Sequence, residues 1–382
     1  MKILVINCIL STAENGIIKR KESIGDCMVS NFVRGFIELG HSATLLASEE
    51  FKPTGDDKGL PFEVIYFPSR LPQVFRPSLL PWPRGMRSWL RSHASSFDLV
   101  IASESFQIAT LIACGICPDR LLIWQEMDRH QRLLFKLPSK LWHNIVVRLF
   151  MGDVTIVPRS EPAKQFISRY SSHVSSTVVD HGTDGKVLYP CDECDMAFIV
   201  VSQLVKRKRV DSIISKFARL VSQDAYRNYR LDIIGDGEQR HELEQLSTSL
   251  GIENNVTFHG FLSHRQLAGP LRRSLALLVD TSSDLNMVTI AEAITSGTPV
   301  VTNTKPSTAS FIKTHGLGVV RDDWDEHDLI DVINNYGNMH EACVKQGQEL
   351  TNVACACKMI AVYRAKQEKP DHQPPRCGSS EQ

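Results

Sequence analysis

Short runs that are apolar at every position alternate with longer helical patterns along most of this chain, and this alternation restricts the folds open to it. The first run is Ile3–Ile6, and a helical pattern from about Cys27 to Leu39 follows it and ends at Gly40. Uniformly apolar strands suit a parallel sheet that is covered by helices on both faces. Repeated strand–helix units therefore predict a doubly wound α/β fold.

The alternation pauses near residue 190 and then starts again. The predicted strands are residues 3–6, 42–46, 98–102, 120–124, 153–157 and 177–179, then 196–201, 230–234, 256–258, 275–279 and 299–301. Two such sets predict two Rossmann-like domains, residues 1–188 and 189–366, with a last helix able to cross back to the first domain. Ligands bind beyond the carboxyl ends of such strands, so we expect the site in the cleft between the domains. Residues 367–382 lack an apolar period and predict a disordered tail.

Charge and cysteine usage exclude several classes of protein. Lys and Arg total 43, as do Asp and Glu, so no net field favours nucleic acid as a partner. No apolar stretch reaches the ~18 residues of a membrane span, and Ile3–Leu10 predicts a buried strand rather than a signal peptide. The C-x-x-C pairs Cys114/Cys117 and Cys191/Cys194 lie too far apart for a zinc ribbon. We therefore expect reduced thiols and a cytoplasmic protein.

Residues 284–301 carry the most specific chemical pattern. Asp284 and Glu292 are eight residues apart and straddle a loop and the first turns of a predicted helix. Backbone N–H groups at a helix start form an anion site, and carboxylates accept strong hydrogen bonds from paired sugar hydroxyls. The pattern therefore suits a sugar nucleotide. An acidic N-cap at Asp284 with a solvated Glu292 is the alternative.

This segment resembles the retaining glycosyltransferases of family 4, which have the GT-B fold. That family carries an acid, seven residues, Glu-Ala, a small-residue pair with glycine, and Pro-Val-Val, in the order found at residues 284–301. The other matching segments are residues 36–41, 180–184, 201–211, 233–238 and 256–260. The resemblance covers about residues 1–365 and implies two Rossmann-like domains that face each other across a cleft.

The resemblance implies a role for each matching residue. Glu292 would hold the ribose hydroxyls, Asp284 the transferred sugar, and Lys208 would neutralise the diphosphate leaving group. At ~4 Å and an effective dielectric near 20, such a cation contributes about 4 kcal/mol before desolvation. The other donor-binding residues implied are Gln203, Arg207, Asn286, Met287, Val288, Gly16 and Gly235. Retention of anomeric configuration, no bound metal and no cofactor beyond the nucleotide-sugar co-substrate are implied as well.

Three positions depart from the family pattern. Gln203 stands where the family has an arginine, which leaves Arg207 or Arg209 to supply that charge. Asp284 replaces a glutamate, whose side chain is longer by about 1.5 Å. Leu285–Met287 replace a glycine-rich stretch, so close backbone approach to a phosphate is less assured. These departures keep a non-catalytic, sugar-nucleotide-binding partner subunit open as an alternative.

The first half offers candidates for the acceptor side. The polar loop Ser11–Gly25, with Gly16, resembles the family's glycine-containing loop that meets the diphosphate. Glu126 aligns with a histidine that many relatives place near the reacting sugar. Glu126, Asp128 or His130 could each orient the acceptor hydroxyl or its proton, and we predict Glu126 as the catalytic one. Loop capping or surface charge is the alternative for each.

Two basic, apolar segments suggest where an acceptor is carried. Residues 65–97 contain five arginines and no acidic residue, and residues 133–148 mix leucines and aromatic residues with lysine and arginine. Such segments suit an anionic membrane surface or a lipid-diphosphate acceptor. Ordinary helix packing with basic solvent-facing sides is the alternative.

The sequence thus predicts a metal-independent, retaining hexosyltransferase. It would move a hexose from a nucleoside diphosphate sugar to a glycan or lipid-linked acceptor, as in surface polysaccharide biosynthesis. We expect a cytoplasmic enzyme, peripheral on the inner face of the plasma membrane, with no nucleic-acid partner. A sugar-nucleotide epimerase of the same fold is the enzymatic alternative.

Overall fold

The computed structural model describes residues 1–11, 18, 23–55, 59–131, 133–283 and 287–368. They form two parallel six-stranded sheets, here called the first and second lobes. The first-lobe strands are β1 Lys2–Ile6, β2 Ser42–Ser48, β3 Glu63–Phe67, β4 Leu99–Ser103, β5 Leu121–Gln125 and β6 Thr155–Pro158, in the order β3-β2-β1-β4-β5-β6. The second-lobe strands are β7 Ala197–Val201, β8 Arg230–Ile234, β9 Val256–Gly260, β10 Ala276–Leu278, β11 Val300–Thr302 and β12 Gly318–Val320, in the order β12-β11-β10-β7-β8-β9.

Helices cover both faces of each sheet. In the first lobe they are α1 Met28–Glu38, α2 Met86–His93, α3 Ile108–Cys114, α4 Leu137–Leu141, a π-helix Trp142–Val147, α5 Arg148–Phe150 and α6 Glu161–Ile167. The remainder are α7 Val210–Val221, α8 Arg240–Ser249, α9 His264–Arg273, α10 Val288–Thr295, α11 Ala309–His315, α12 Glu326–Gly347 and α13 Asn352–Glu368. The predicted two-part α/β fold is confirmed.

Strand β1 shows why uniformly apolar runs become central strands. Ile3 and Val5 pack in a cluster on the α1 side of the sheet, whereas Leu4 and Ile6 pack in the cluster on the α3 side. Successive side chains of a strand point to opposite faces, so a sheet with two covered faces needs an apolar residue at each position. All four side chains are at most 1% exposed.

One predicted strand is wrong. Residues 177–179 are not a strand, because the Val179 carbonyl accepts a 2.7 Å hydrogen bond from the Trp124 indole instead of joining a ladder. The Val179 N–H donates to Pro158 as a single bond. The sixth strand of the first sheet is β3 at the opposite edge, which pairs with β2 and was not predicted. Edge strand β12 was also missed.

The last helix returns to the first lobe. Helix α13 packs along α1, and a Cβ on Gly35 of α1 would lie 2.2 Å from the Asn352 carbonyl oxygen, so the two backbones touch. At the other end of α13, the Lys366 ammonium donates to the Pro118 and Leu121 carbonyls. The chain therefore passes between the lobes twice, once before β7 and once before α13.

Candidate functional site

The turn that carries Lys208 is joined to the loop that leads toward the first predicted acid. The Arg207 carbonyl accepts hydrogen bonds from the Ser282 N–H at 2.9 Å and the Thr281 hydroxyl at 3.1 Å. Both segments follow central strands, β7 and β10, so the sheet brings them to one carboxyl edge. Lys208 is half-buried there. Asp284 and Asn286, with Leu285 between them, lie outside the described residues, as does Gly16.

A buried carboxylate holds this edge together. The Asp280 side chain is fully buried and accepts from Lys216 at 2.7 Å and Asn303 at 3.0 Å. Arg209, whose φ of 44° lies in the left-handed region, places its guanidinium 3.3 Å from the same carboxylate. The Arg209 guanidinium is therefore paired with Asp280, and a replacement by Arg207 of the arginine missing at Gln203 stays a prediction.

Glu292 is the buried acid of the site. It lies on α10, is 4% exposed, and its carboxylate is 3.0 Å from Nε2 of His264, the first residue of α9. A solvated Glu292, the alternative left open by the sequence, is therefore excluded. A carboxylate is rarely buried without partners, since desolvation of the charge is costly. The pair places one acid and one imidazole between the carboxyl ends of β9 and β10.

The start of α10 has no side-chain cap among the described residues. Met287 occupies the N-cap position and has no side-chain oxygen to accept from the first N–H groups. Its side chain is 6% exposed and packs in the core, so only its backbone could meet a ligand. Val288 is half-buried, and the buried Thr289 hydroxyl has no hydrogen-bond partner among the described residues. The geometry is compatible with the predicted anion site.

Gly235 lies where the end of β8 passes close to the loop after β7. Its φ is 127°, and a Cβ there would lie 1.8 Å from the Ser202 carbonyl oxygen. Only glycine fits this approach of β8 to the loop after β7, and this requirement explains Gly235 without a ligand. Gln203 is exposed in the same loop. The donor-binding role of both residues stays a prediction.

In the first lobe, a charged network lies at the carboxyl ends of β4, β5 and β6. The Arg159 guanidinium donates to the Glu126 carboxylate at 2.7 Å and to the Ser103 hydroxyl at 2.7 Å. It also lies 2.8 Å from Nε2 of His181 and 3.5 Å from the centre of the Trp124 ring. Arg159 is 5% exposed. The carboxylate of Glu126, the predicted acceptor-side residue, is thus paired with the buried Arg159 guanidinium.

Two glutamates in this network have opposite pKa shifts. Burial, opposed only in part by Arg159, raises the pKa of Glu104 to about 7. Glu104 has a φ of 68°, and its carboxylate accepts from the Glu126 N–H at 2.6 Å. Burial would also raise the pKa of Glu126, but Arg159 and His181 together hold it at about 2. One acid is therefore ionised throughout the physiological range while the other titrates within it.

The other two acceptor-side candidates are held locally. Asp128 forms an ion pair at 2.8 Å with its neighbour Arg129. His130 lies within hydrogen-bond distance of Ser139 at 3.1 Å and of Tyr170 at 3.0 Å, and burial lowers its pKa. Both residues follow β5, but their side chains are engaged away from Arg159. Glu126 therefore has the strongest case of the three.

We expect the Glu104→Gln variant to change how stability depends on pH. The folded pKa of Glu104 is raised from 4.5 to about 7, which corresponds to about 3 kcal/mol. The folded state then holds the proton more tightly, so the wild type should lose stability as pH rises through this window. Urea unfolding at about pH 5 and about pH 8 should show the variant gaining about 3 kcal/mol relative to wild type. Equal pH profiles would contradict the buried, titrating carboxyl.

A cavity of about 430 Å³ opens between the lobes. Arg159 and Asp180 line it from the first lobe, and Ile290 and Ile294 of α10 line it from the second. Each helix residue advances by about 100°, so these isoleucines lie on the face of α10 opposite Glu292. Helix α10 therefore contributes one face to the Glu292–His264 pair and the other to a crevice that reaches the Glu126 network.

One group of side chains in the described part of the chain has the proximity that a metal ion requires. Asp325, Glu326 and His327 converge at the start of α12. Asp325 is paired with Arg321 at 3.1 Å and Glu326 with Arg219 at 2.6 Å, and Asp325 also accepts from the His327 N–H. The arrangement is explained by helix capping and ion pairs, and it carries no assignment.

Sequence reasoning missed His264, Arg159 and Glu104. Each directly follows a predicted strand or its turn, which is the signal that could have singled them out. His264 is 28 residues from its partner Glu292, and Arg159 and Glu104 are 33 and 22 residues from their common partner Glu126. These pairings could therefore not be predicted from a single sequence.

Part of the chain matches a known family of proteins. Residues 191–351 match the family model for glycosyl transferases group 1. The alpha-monoglucosyldiacylglycerol synthase of Streptococcus pneumoniae is 22% identical over 205 residues, covering 49% of this chain and 46% of that protein. This match therefore spans about half the length of the curated relative.

Solved structures share the fold over nearly the whole chain. The lipopolysaccharide outer core galactosyltransferase WaaB, in its apo form, superposes with a TM-score of 0.62 at 18% identity, covering 96% of this chain and 100% of that one. An Anabaena protein in complex with UDP and glucose superposes with a TM-score of 0.63 at 14% identity, covering 96% and 100%. The chain thus shares its two-lobed fold with structures of GT-B glycosyltransferases, and residues 191–351, which include Lys208 and Glu292, match the family model for glycosyl transferases group 1.

Proposed function

We propose that this protein is a glycosyltransferase that moves a hexose from a nucleoside diphosphate sugar to a glycan or lipid-linked acceptor. The observation that carries the proposal is the convergence of the Lys208 turn, the start of α10 and the buried Glu292 at one carboxyl edge. We further propose that transfer retains the anomeric configuration, as in family 4, and needs no bound metal. The enzyme would act on surface polysaccharide or glycolipid.

Each group has a task in such a transfer. Glu292, already buried, accepts hydrogen bonds from the ribose hydroxyls, and His264 fixes the orientation of its carboxylate. The backbone N–H groups at the start of α10 and the Lys208 ammonium stabilise the charge that develops on the leaving diphosphate. Glu126, held ionised by Arg159, orients an acceptor hydroxyl from the opposite lobe.

Two relatives support the substrate classes. The Anabaena structure holds UDP and glucose, which supports a nucleotide sugar as donor. The Streptococcus pneumoniae relative is, by its name, a synthase of a glucosylated diacylglycerol, which supports an acceptor carried by a lipid. A lipid-borne acceptor places the enzyme at an anionic membrane surface, and we propose the inner face of the plasma membrane.

The Lys208→Ala variant should lower kcat with a fitting nucleotide sugar by about 100-fold. A fixed cation near the diphosphate contributes about 4 kcal/mol before desolvation, and part of that is offset by the cost of desolvating the ammonium. Donors are first found by thermal shift with a panel of nucleotide sugars, since a ligand of the native state raises Tm. Transfer is then measured with the donor that gives the largest shift.

Lys206→Ala is the matched control, because Lys206 lies two residues away in the same turn with its side chain exposed. It should keep nearly full activity, and both variants should melt like the wild type. Equal activity of all three proteins would refute the role of Lys208. Exchange of solvent hydrogen into the donor sugar without transfer would favour the epimerase instead, and tight donor binding with no turnover would favour a binding subunit.

A further inference from the structure

The first lobe carries an unusually apolar surface, which we call the apolar stripe. It consists of Phe135, Leu137, Leu141, Ile145, Leu149 and Phe150. Phe135 is 97% exposed and Leu149 71%, and the other four are about half exposed or more. Single exposed apolar residues are ordinary, but a contiguous group of six large ones marks an interaction surface.

Most of the stripe lies on one face of the helical segment Leu137–Phe150, and the opposite face of that segment is buried in the first lobe. Ser139, His143 and Val147 are buried against the lobe, where the His143 ring contacts Phe166 edge-to-face and Tyr170 at a tilt. The exposed leucines and isoleucine recur every four residues, which in a straight α-helix drifts around the axis. The wider π-helical turn at Trp142–Val147 advances less per residue and keeps them on one side. The exposed face is thus the apolar one, the reverse of an ordinary surface helix.

Basic residues flank the stripe. Lys136, Lys140 and Arg148 are exposed and each immediately precedes a residue of the stripe. The sequence from Arg129 to Gly152 contains no acidic residue. In the described residues, no helix is long and apolar enough to cross a membrane. The surface therefore combines exposed apolar side chains with positive charge, and the Arg148 guanidinium also donates to the Arg169 carbonyl at 3.1 Å.

A second exposed segment lies beside it. Leu71 is 58% exposed and Val74 72%, in the arginine-rich region 65–97. The Leu79 carbonyl accepts from the Gln107 amide at 3.2 Å, and the Trp142 indole of the stripe helix donates to Ser105 at 2.8 Å. Both segments therefore flank the loop that follows β4, on the same edge as Glu104 and the Glu126 network.

We propose that the apolar stripe is a membrane-docking surface, which inserts into the interface of an anionic lipid bilayer while Lys136, Lys140 and Arg148 bind its headgroups. Its occupant is a bilayer rather than a second copy of the chain, because two copies would place these like charges against each other. Apolar burial and attraction to anionic lipid add together at such an interface. The inference deepens the proposed function, since it sets the acceptor side of the cleft next to lipid.

Vesicle sedimentation tests the docking surface without any donor or acceptor. The wild type should bind vesicles of phosphatidylglycerol and phosphatidylcholine, and bind pure phosphatidylcholine at least tenfold more weakly, with binding reduced by salt. The double variant Leu141→Ser/Leu149→Ser should bind the anionic vesicles at least tenfold more weakly. Leu250→Ser is the matched control, because Leu250 is 41% exposed at the end of α8 in the other lobe, and it should bind like the wild type.

Several outcomes overturn the proposal. The wild type failing to bind anionic vesicles would do so, as would equal binding by the double variant. A dimer in sedimentation velocity that the double variant abolishes, without vesicle binding, would assign the stripe to a second copy. Because all three positions are exposed, unchanged melting temperatures should accompany each variant. Vesicle binding without sugar transfer would support the docking surface and refute the proposed transferase. Transfer to a water-soluble acceptor without vesicle binding would support the transferase and refute the docking surface.

Discussion

The Glu292→Gln variant is expected to lower kcat/KM for the nucleotide sugar by about 100-fold. A hydrogen bond to a charged group contributes about 1.5–3 kcal/mol, and the proposed ribose contact uses a carboxylate that is already buried and oriented. Glutamine keeps the volume but replaces one acceptor with an amide donor. Because the ribose does not react, we expect most of the loss in the donor KM rather than in kcat.

The control for this variant is Glu242→Gln on α8, where the side chain is exposed. It should leave both kinetic constants unchanged. Replacing His264 by alanine should give a smaller loss of the same kind, since it removes the partner that orients Glu292. Full activity and an unchanged donor KM in the Glu292 variant would show that the buried acid does not meet the donor.

The Arg159→Met variant is expected to destabilise the protein by about 3–5 kcal/mol. Breaking a buried ion pair from one side leaves the other charge uncompensated, and this loss is larger than the net contribution of the intact pair. Here the group that loses its cation is Glu126, because Arg159 and His181 together hold its pKa at about 2 and only His181 would remain. Urea unfolding measures the change directly, with Arg87→Met at an exposed position of α2 as the control.

A double variant identifies the cause of that loss. Adding Glu126→Gln to Arg159→Met removes the uncompensated carboxylate, so part of the lost stability should return. The two single changes should therefore not be additive. If the double variant is as unstable as the sum of the singles, the loss comes from packing of the guanidinium on Trp124 rather than from charge.

The fold was largely predictable because burial dictates composition. A central parallel strand needs apolar residues on both faces, and β1, β7 and β10 carry that pattern clearly. Edge strand β3 is mostly half-buried, and its sequence Glu63–Phe67 was missed although it is apolar after Glu63. Residues 177–179 have strand-like composition, but their buried backbone is satisfied by a tryptophan from far away in the sequence.

The site was predictable where it depends on local sequence. The spacing from residue 284 to Glu292 and the basic turn at Lys208 lie within single strand–loop–helix units, and motif resemblance could identify them. The partnership of Glu292 with His264, and that of Glu126 with Arg159, arise only when separate strand ends meet. The commitment of Arg209 to Asp280 also depends on tertiary contact, since a run of four basic residues does not show which one turns inward.

The return of α13 has a practical consequence for dividing this protein into fragments. Cys355, Met359 and Ile360 of that helix complete the core on the α1 side of the first sheet. A polypeptide ending near residue 190 would expose the apolar surface that α13 covers. We expect such a polypeptide to aggregate, and we expect it to stay in solution only when residues 348–368 are added as a separate peptide. The core of the first lobe is therefore built from chain segments on both sides of the second lobe.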